Sequence, residues 1–379
     1  MNLKNPISKK NQLYDWASIL DKEIEKIDRA SRFSRFFLCL KSTLALAITK
    51  PNLPVSVNSD FLFFISLNRS DHLNRFDKIY GQCPHKKVKY LIKFTIYLNL
   101  TNIFSYITNI FKLNSFHSNP LYSYYAYTCY VRYKSIPKEC SNYKIKYFLS
   151  CADFLPLDNL LTQYFKKKDV KTITLQEGGF IRKDVLYPSP ISEYFLCWGD
   201  YIKENVQKNS TVNTIVRNLG LPLPFNKIKN SNSNNIYILL SGDIFIDINK
   251  KILNIAVEIN KKLKGIIYVQ FHPKSKLSLY PNLSQFTLVT KPPDDAQLAI
   301  GYYSTILLFL LLSNYQLYLY KSEMTEKIWD DSYLFSNAEE LLLKINKKYL
   351  TPSSLREHFS STGCDSEKKY HQFFTELPV

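Results

Sequence analysis

Glycine is scarce in this chain: nine among 379 residues, beside two methionines and three tryptophans. Glycine marks places where the backbone turns or approaches a neighbour without a side chain in the way, so its placement is informative. Cysteine offers no framework. The seven (Cys39, Cys83, Cys129, Cys140, Cys151, Cys197, Cys364) form no CxxC pair and are odd in number. That argues against both a zinc site and a disulfide scaffold, and fits a reducing, cytoplasmic setting. No apolar stretch follows the charges of MNLKNPISKKNQLYDW, so no signal peptide is read there. Residues 93 to 112, KFTIYLNLTNIFSYITNIFK, come nearest to a membrane span. Asn and Thr interrupt them short of roughly 18 clean apolar residues, and a core or interfacial helix is expected instead. An RNP-like aromatic signature, zinc-finger spacing and an isolated basic helix are all missing, which argues against a nucleic-acid partner. No internal repeat stands out.

What is present is ample apolar material and a strong positive charge. At 45% hydrophobic and 15% aromatic residues the chain has enough to bury a globular core. Its length suits two domains of about 100 to 200 residues each. A net charge of +18 implies attraction to anions: an anionic membrane surface, or acidic substrates and acceptors. With no clean apolar span, peripheral, salt-sensitive association with the inner face of the cell membrane is expected. FKKKDVK (165 to 171) and CPHKKVKY (83 to 90) are candidate contact clusters, each also readable as an ordinary solvated face.

The last third parses most readily. Strand-like NIYILLS (235 to 241), the amphipathic run 248 to 264, strand-like GIIYVQF (265 to 271), FTLVT (286 to 290), QLAIGYYS, the apolar helix 304 to 312 and YQLYLY (315 to 320) alternate strand with helix. That is the βαβ signal of a parallel, doubly wound sheet. Upstream, the Asn/Ser-rich KIKNSNSNN behind LPLPF reads as a linker. The expected division is residues 1 to 227, residues 228 to 350, and a C-terminal helix or tail, 351 to 379, packing back. In the first part the amphipathic stretches near 11 to 48 and the strand-like segments 59 to 65, 144 to 151 and 170 to 176 make a second α/β domain plausible.

Seven of the nine glycines, Gly178, Gly179, Gly199, Gly220, Gly242, Gly265 and Gly301, fall between 178 and 301, around the expected ligand-facing strand ends. Three stretches there can carry chemistry. In TITLQEGGF (172 to 180), Gly178 and Gly179 permit a sharp turn behind a strand, and Glu177 is either a solvated carboxylate or a positioned base. In VQFHPKSK (269 to 276), Pro273 fixes the turn and His272 stands at the carboxyl end of a strand, the edge where open α/β sheets bind ligands. Its imidazole can bond a phosphate oxygen, Lys274 and Lys276 adding positive potential; a plain loop histidine is the alternative. In GYYSTILLFLLL (301 to 312), Ser304 and Thr305 begin an apolar helix, as simple caps or as an anion site. Asp294-Asp295 follows two prolines and reads as a turn or cap, so no metal is expected.

In order and spacing, the acidic-Gly strand end, the His-Pro pair and the Ser-Thr helix start resemble the motif set of bacterial sialyltransferases and related capsule and lipooligosaccharide glycosyltransferases of GT-B architecture. EYFLCWGDYIKENVQ followed by NLGLPLP resembles the end of the first domain in such enzymes. The resemblance covers roughly residues 170 to 320. It implies two Rossmann-like domains facing a cleft. It also implies inverting, metal-independent transfer, with no cofactor, from a nucleotide-activated sugar such as CMP-sialic acid to a glycan or lipid-linked acceptor. Glu177 would be the general base, and His272 with Pro273 the donor-phosphate contact. Ser304 with Thr305 would be the phosphate-binding pair, and Lys274, Gly178, Gly179 and Gly242 would complete the donor side. The match departs at Gln176, where the sialyltransferase pattern carries a first acidic residue. Transferases that move polyol phosphates from CDP carriers resemble QHG there, so a CDP-polyol phosphotransferase stands as an alternative, with a non-catalytic protein of the capsule machinery as a third.

Overall fold

The structure, a computed structural model, describes residues 49–66, 70–96, 133, 135–151, 153, 155–177, 190–210, 213–224, 233–273, 275–302, 304, 306–322, 325, 329, 331–346 and 359–379. Its strands run in chain order: β1 Thr49–Asn52, β2 Val57–Asn58, β3 Phe61–Ile65, β4 Lys87–Leu91, β5 Lys93–Ile96, β6 Tyr143–Lys144, β7 Tyr147–Ser150, β8 Lys171–Leu175, β9 Tyr194–Cys197 and β10 Ile215–Asn218. They continue with β11 Ile236–Leu239, β12 Ile267–Gln270, β13 Thr287–Leu288, β14 Leu298–Gly301, β15 Gln316–Tyr320 and β16 Leu334–Phe335. The helices are α1 Ser70–Gln82, α2 Ile136–Glu139, α3 Pro156–Lys166, α4 Asp200–Asn209, α5 Ile246–Leu263, α6 Ile306–Leu312, α7 Ala338–Asn346 and α8 Gly363–Glu376.

Two six-stranded sheets, parallel throughout, organise these elements: β10-β9-β8-β7-β3-β4 and β13-β12-β11-β14-β15-β16. Parallel strands joined by helical crossovers are covered on both faces, so their sequences are apolar without alternation. All five residues of β3 are buried. Phe61, Phe63 and Ile65 enter one core, Leu62 and Phe64 the other. Strand β11 divides likewise, Ile236 and Ile238 from Tyr237 and Leu239.

Helix α5 covers the second sheet through Ile252, Leu253, Ala256 and Ile259, buried at helical spacing. It ends where Lys264 turns left-handed at φ 56°, and Asn260 pairs with the amide and carbonyl of Gly265. A Cβ on Gly265 would fall 2.2 Å from the Asn234 carbonyl oxygen, so close backbone approach requires the glycine. Helix α8 packs on the first sheet: Tyr370, Phe373, Phe374 and Leu377 join its core, and His371 bonds the Gln82 carbonyl of α1.

Residues 93 to 112 do not begin as the expected helix. Lys93–Ile96 is a strand, antiparallel to β1, and that pairing satisfies its backbone where β-branched Thr95 and Ile96 disfavour a helix start. The remainder of that stretch and the amphipathic run 11 to 48 lie outside the described residues. No described helix is long and apolar enough to cross a membrane.

Phe374 is fully buried, edge-on to Phe61 at 5.6 Å. Phe374→Ala is expected to cost about 3–5 kcal/mol, seen as a lower urea midpoint at constant slope. A loss under about 1 kcal/mol would mean that α8 does not contribute to the core of the first sheet.

Candidate functional site

The chemistry-bearing residues collect at the carboxyl edges of the two sheets. In the first, successive strands move outward from β3 to β4 on one side and from β7 through β10 on the other, so the winding reverses between β3 and β7. Ligands in such sheets bind outside the carboxyl ends at that reversal. Glu177 follows β8, one strand from it, and is partly buried. Its main chain is clamped from two directions. Arg75 of α1, itself buried, donates from Nη1 to the carbonyls of Glu177 at 2.8 Å and Gln176 at 3.4 Å, and its guanidinium lies 5.0 Å over the Trp198 ring. Gln176, also buried, accepts the Trp198 amide on Oε1 at 2.8 Å, while its own amide bonds the Leu196 carbonyl at 2.9 Å. Gln176 therefore pins the end of β8 to the end of β9. A carboxylate there would place an extra buried charge beneath Glu177.

Two further carboxyls lie behind Glu177. Asp153 accepts the amides of Ile191 at 2.8 Å and Ser192 at 3.1 Å; burial pushes it up, opposed by these bonds. Asp158, in the first turn of α3, is fully buried, and neither of its oxygens has a hydrogen-bond partner among the described residues. Burial raises it well above the usual carboxylate range; the Ser66 side chain opposes this, and the charges of Asp153 and Glu177 add to it. Burial there favours the neutral acid, because a charge would be costly.

The second sheet winds outward from β11 to β13 and from β14 to β16, reversing between β11 and β14. At that reversal β11 ends in Ser241-Gly242-Asp243 and β14 leads into Tyr302 and Ser304. His272 lies two residues beyond the end of β12, the strand beside β11. A Cβ on Gly242 would stand 3.9 Å from His272 Nδ1, so the imidazole lies against the glycine. Asp243 ties the two loops together, accepting the Lys276 amide on Oδ2 at 2.9 Å.

The structure thus brings Gly242 and His272 together at one strand-end site, with exposed Pro273 beside them, and sets Glu177 on the edge of the other sheet. Ser304 acts as a helix-start cap: its Oγ accepts the Ile306 amide at 3.3 Å and its carbonyl the Leu307 amide. Helix α6 behind it has seven residues. Gly178, Gly179, Lys274 and Thr305 lie outside the described residues. Asp294-Asp295 forms a turn, where Asp295 takes the Tyr268 hydroxyl and the Asn235 amide. Among the described residues no group of His, Cys, Asp or Glu is arranged to hold a metal ion. Sequence reading missed Arg75, Asp153, Asp158 and Asp243. For Asp243 a signal existed, an SGD triplet behind a strand; Arg75, roughly a hundred positions from Glu177, gave none.

No protein-family model and no curated protein matches the chain. Among solved structures it is similar to UDP-GlcNAc 2-epimerase of Methanocaldococcus jannaschii, determined with UDP-GlcNAc and UDP. The identity is 11% over 83% of this chain and 99% of that one, with a TM-score of 0.51. Similarity extends to a complex of the wall teichoic acid polymerase TagF with CDPG (11% identity, 84% and 89% covered, TM-score 0.45). It extends also to a UDP-glucosyltransferase from Polygonum tinctorium (7% identity, 84% and 98% covered, TM-score 0.49). The architecture is GT-B: two Rossmann-like parallel α/β sheets.

The state of Asp158 is testable through the pH dependence of stability. A carboxyl raised in the folded protein releases its proton on unfolding at neutral pH, so it favours the native state at low pH and progressively less as pH climbs above its unfolded value. Relative to Asp158→Asn, the wild type should lose stability between pH 5 and 8 by up to about 1.4 kcal/mol per pH unit. Parallel denaturation curves for the two proteins across that range would show that Asp158 is ionised in the fold.

Proposed function

We propose that this chain is a glycosyltransferase that moves a sugar from a nucleotide-activated donor, CMP-sialic acid or a related CMP-sugar, to a glycan hydroxyl in bacterial surface-polysaccharide synthesis. The observation that carries the reading is the placement of His272 against Gly242 at the winding reversal of a sheet ordered 3-2-1-4-5-6. An imidazole there meets a phosphate at the strand ends, where Gly242 adds no side chain. Glu177, at the carboxyl edge of the other sheet, takes the proton of the acceptor hydroxyl. The acceptor oxygen bonds the anomeric carbon from the face opposite the nucleotide, and the carbon–oxygen bond to the phosphate breaks. The electron pair stays on the phosphate, which His272 stabilises.

The role of cation falls to His272 and its neighbours, so EDTA should leave turnover unchanged. In this reading the acceptor domain comprises about residues 1 to 227 and the donor domain 228 to 350, working at an anionic membrane face to which the charge of +18 attracts the protein. The second reading, transfer of a polyol phosphate from a CDP carrier, takes support from Gln176, which occupies the glutamine place of the QHG pattern. In that case the acceptor attacks phosphorus, and CMP leaves with no sugar released.

The test is a binding and product screen of CMP-, UDP-, GDP- and CDP-linked donors. A sugar product with CMP supports the first reading, a polyol phosphate product the second, and failure to bind every donor removes both. Glu177→Gln should keep donor binding while lowering turnover by on the order of a hundredfold or more. His272→Ala should weaken donor binding by about 1.5–3 kcal/mol, the worth of a charge-assisted hydrogen bond. Near-normal turnover in Glu177→Gln would remove the base; unchanged nucleotide affinity in His272→Ala would remove the phosphate contact.

A further inference from the structure

The loop that carries His272 is fastened at both ends. The Ser275 amide donates to the His272 carbonyl at 2.8 Å, closing a turn over 272 to 275. At the far end the Lys276 amide donates to Asp243 Oδ2 at 2.9 Å. The other carboxylate oxygen of Asp243 accepts the Tyr280 hydroxyl at 3.3 Å, and that hydroxyl accepts Nδ2 of Asn249 at 2.9 Å. Asn249 is buried in α5 and pairs with both main-chain groups of Ser241, its Oδ1 taking the amide at 3.1 Å and its Nδ2 giving to the carbonyl at 2.9 Å. One polar chain thus runs from the end of β11 through α5 and Tyr280 to Asp243, and from Asp243 to the histidine loop.

The imidazole rests against Gly242, the residue before Asp243. We propose that Asp243 is the positioning residue for His272: it fixes the loop that carries the imidazole and supplies the negative charge that keeps the ring protonated for a phosphate. The proposal rests on the reading of His272 as the phosphate contact. Among the described residues, charged and titratable groups on the elements around the loop are Asp243, Asp247 in the first turn of α5, Lys276, Tyr280 and Tyr302; Lys274 of the loop lies outside them. The lysine and the two tyrosines do not attract a proton to the ring at neutral pH, and Asp247 is exposed one helical turn further on. Asp243 itself behaves as the charged member. Partial burial pushes it up, but the Lys276 amide, the Ser275 and Tyr280 hydroxyls and, least of these, the His272 charge together hold it below the usual carboxylate range. An anion stabilised beside an imidazole favours the imidazolium, and an imidazolium bonds a phosphate oxygen more strongly than neutral imidazole does.

The test is a titration of the histidines by NMR, in wild type and in Asp243→Asn, which keeps an oxygen acceptor for the Lys276 amide while removing the charge. The chain has six histidines, and His272→Ala identifies the signal of interest. In Asp243→Asn the His272 midpoint should fall by about half a pH unit or more. CMP binding at pH 8.5, measured by calorimetry, should weaken by up to about threefold, the most by which the imidazolium fraction drops for a half-unit fall in the midpoint. Asp243→Glu, retaining the charge, should hold the midpoint near that of wild type. Should Asp243→Asn fail to fold, Asp243→Ser replaces it in the same titration. An unchanged midpoint in a folded, uncharged variant overturns the proposal. A wild type that binds no CMP overturns the donor-site reading instead, and the titration still decides whether Asp243 sets the state of His272.

Discussion

A single buried indole, Trp198, is where the parts of this molecule meet. Its face carries the Arg75 guanidinium, and its amide is held by Gln176. Its ring stacks on Phe359 at 5.9 Å and lies 6.3 Å from Phe309 of α6, and its carbonyl accepts the Ser360 amide. The first contacts come from α1 and from the end of β8, where Glu177 stands; the others belong to the helix behind β14 and to the segment that leads back to α8. Removing the ring would leave Arg75 without its apolar and π-face partner and open a void between α6 and the first sheet. The position of Glu177 is thus coupled, through one side chain, to the packing of the second sheet's helix.

Both sheets are buried on their two faces, and this burial dictates where chemistry can occur. Along β3 and β11 the apolar side chains fill cores on either side, and in β8 Ile173 and Leu175 enter one core while Thr172 and Thr174 are buried on the other face. Polar residues appear at the strand ends, where the backbone leaves the ladder and its groups need new partners. There Asp153 takes the amides of 191 and 192, Gln176 takes that of Trp198, and Asp243 takes that of Lys276. Side chains that complete the backbone's hydrogen bonding fix the loops, and the fixed loops present Glu177 and His272. Asp158 breaks this pattern, its buried oxygens completing no backbone group, and burial pushes it towards the neutral form.

How much of this was legible in the chain follows from the range of the interactions. The run from β11 through α5 to β12 could be read because apolar strands and an amphipathic helix are local patterns, and the observed strands sit within a few residues of the expected ones. His272 was legible because a histidine followed by proline behind a strand is a local signal too. The strand Lys93–Ile96 was misread, since what makes it a strand is its pairing with Thr49–Asn52, more than forty residues earlier. Arg75 was invisible for the same reason, its partners lying 101 and 102 positions away. Gln176 was noticed as a departure from a motif, yet its work, holding Trp198, is a tertiary contact with no trace in the local sequence.

The glycines separate positions that the fold requires from others, Gly81 and Gly242, that it does not. Gly220 has φ 79° and would drive a Cβ to 2.2 Å from the Ser361 hydroxyl; Gly265 would meet the Asn234 carbonyl; Gly301 would meet Leu307 at 2.5 Å. Each of these is explained by backbone conformation or by close packing. Gly242 is different. Its φ of −59° suits any residue, and a Cβ there would make ordinary contact with His272 Nδ1 at 3.9 Å. Neither strain nor crowding demands glycine at 242. A methyl group there would occupy space beside the imidazole, next to the winding reversal of the second sheet.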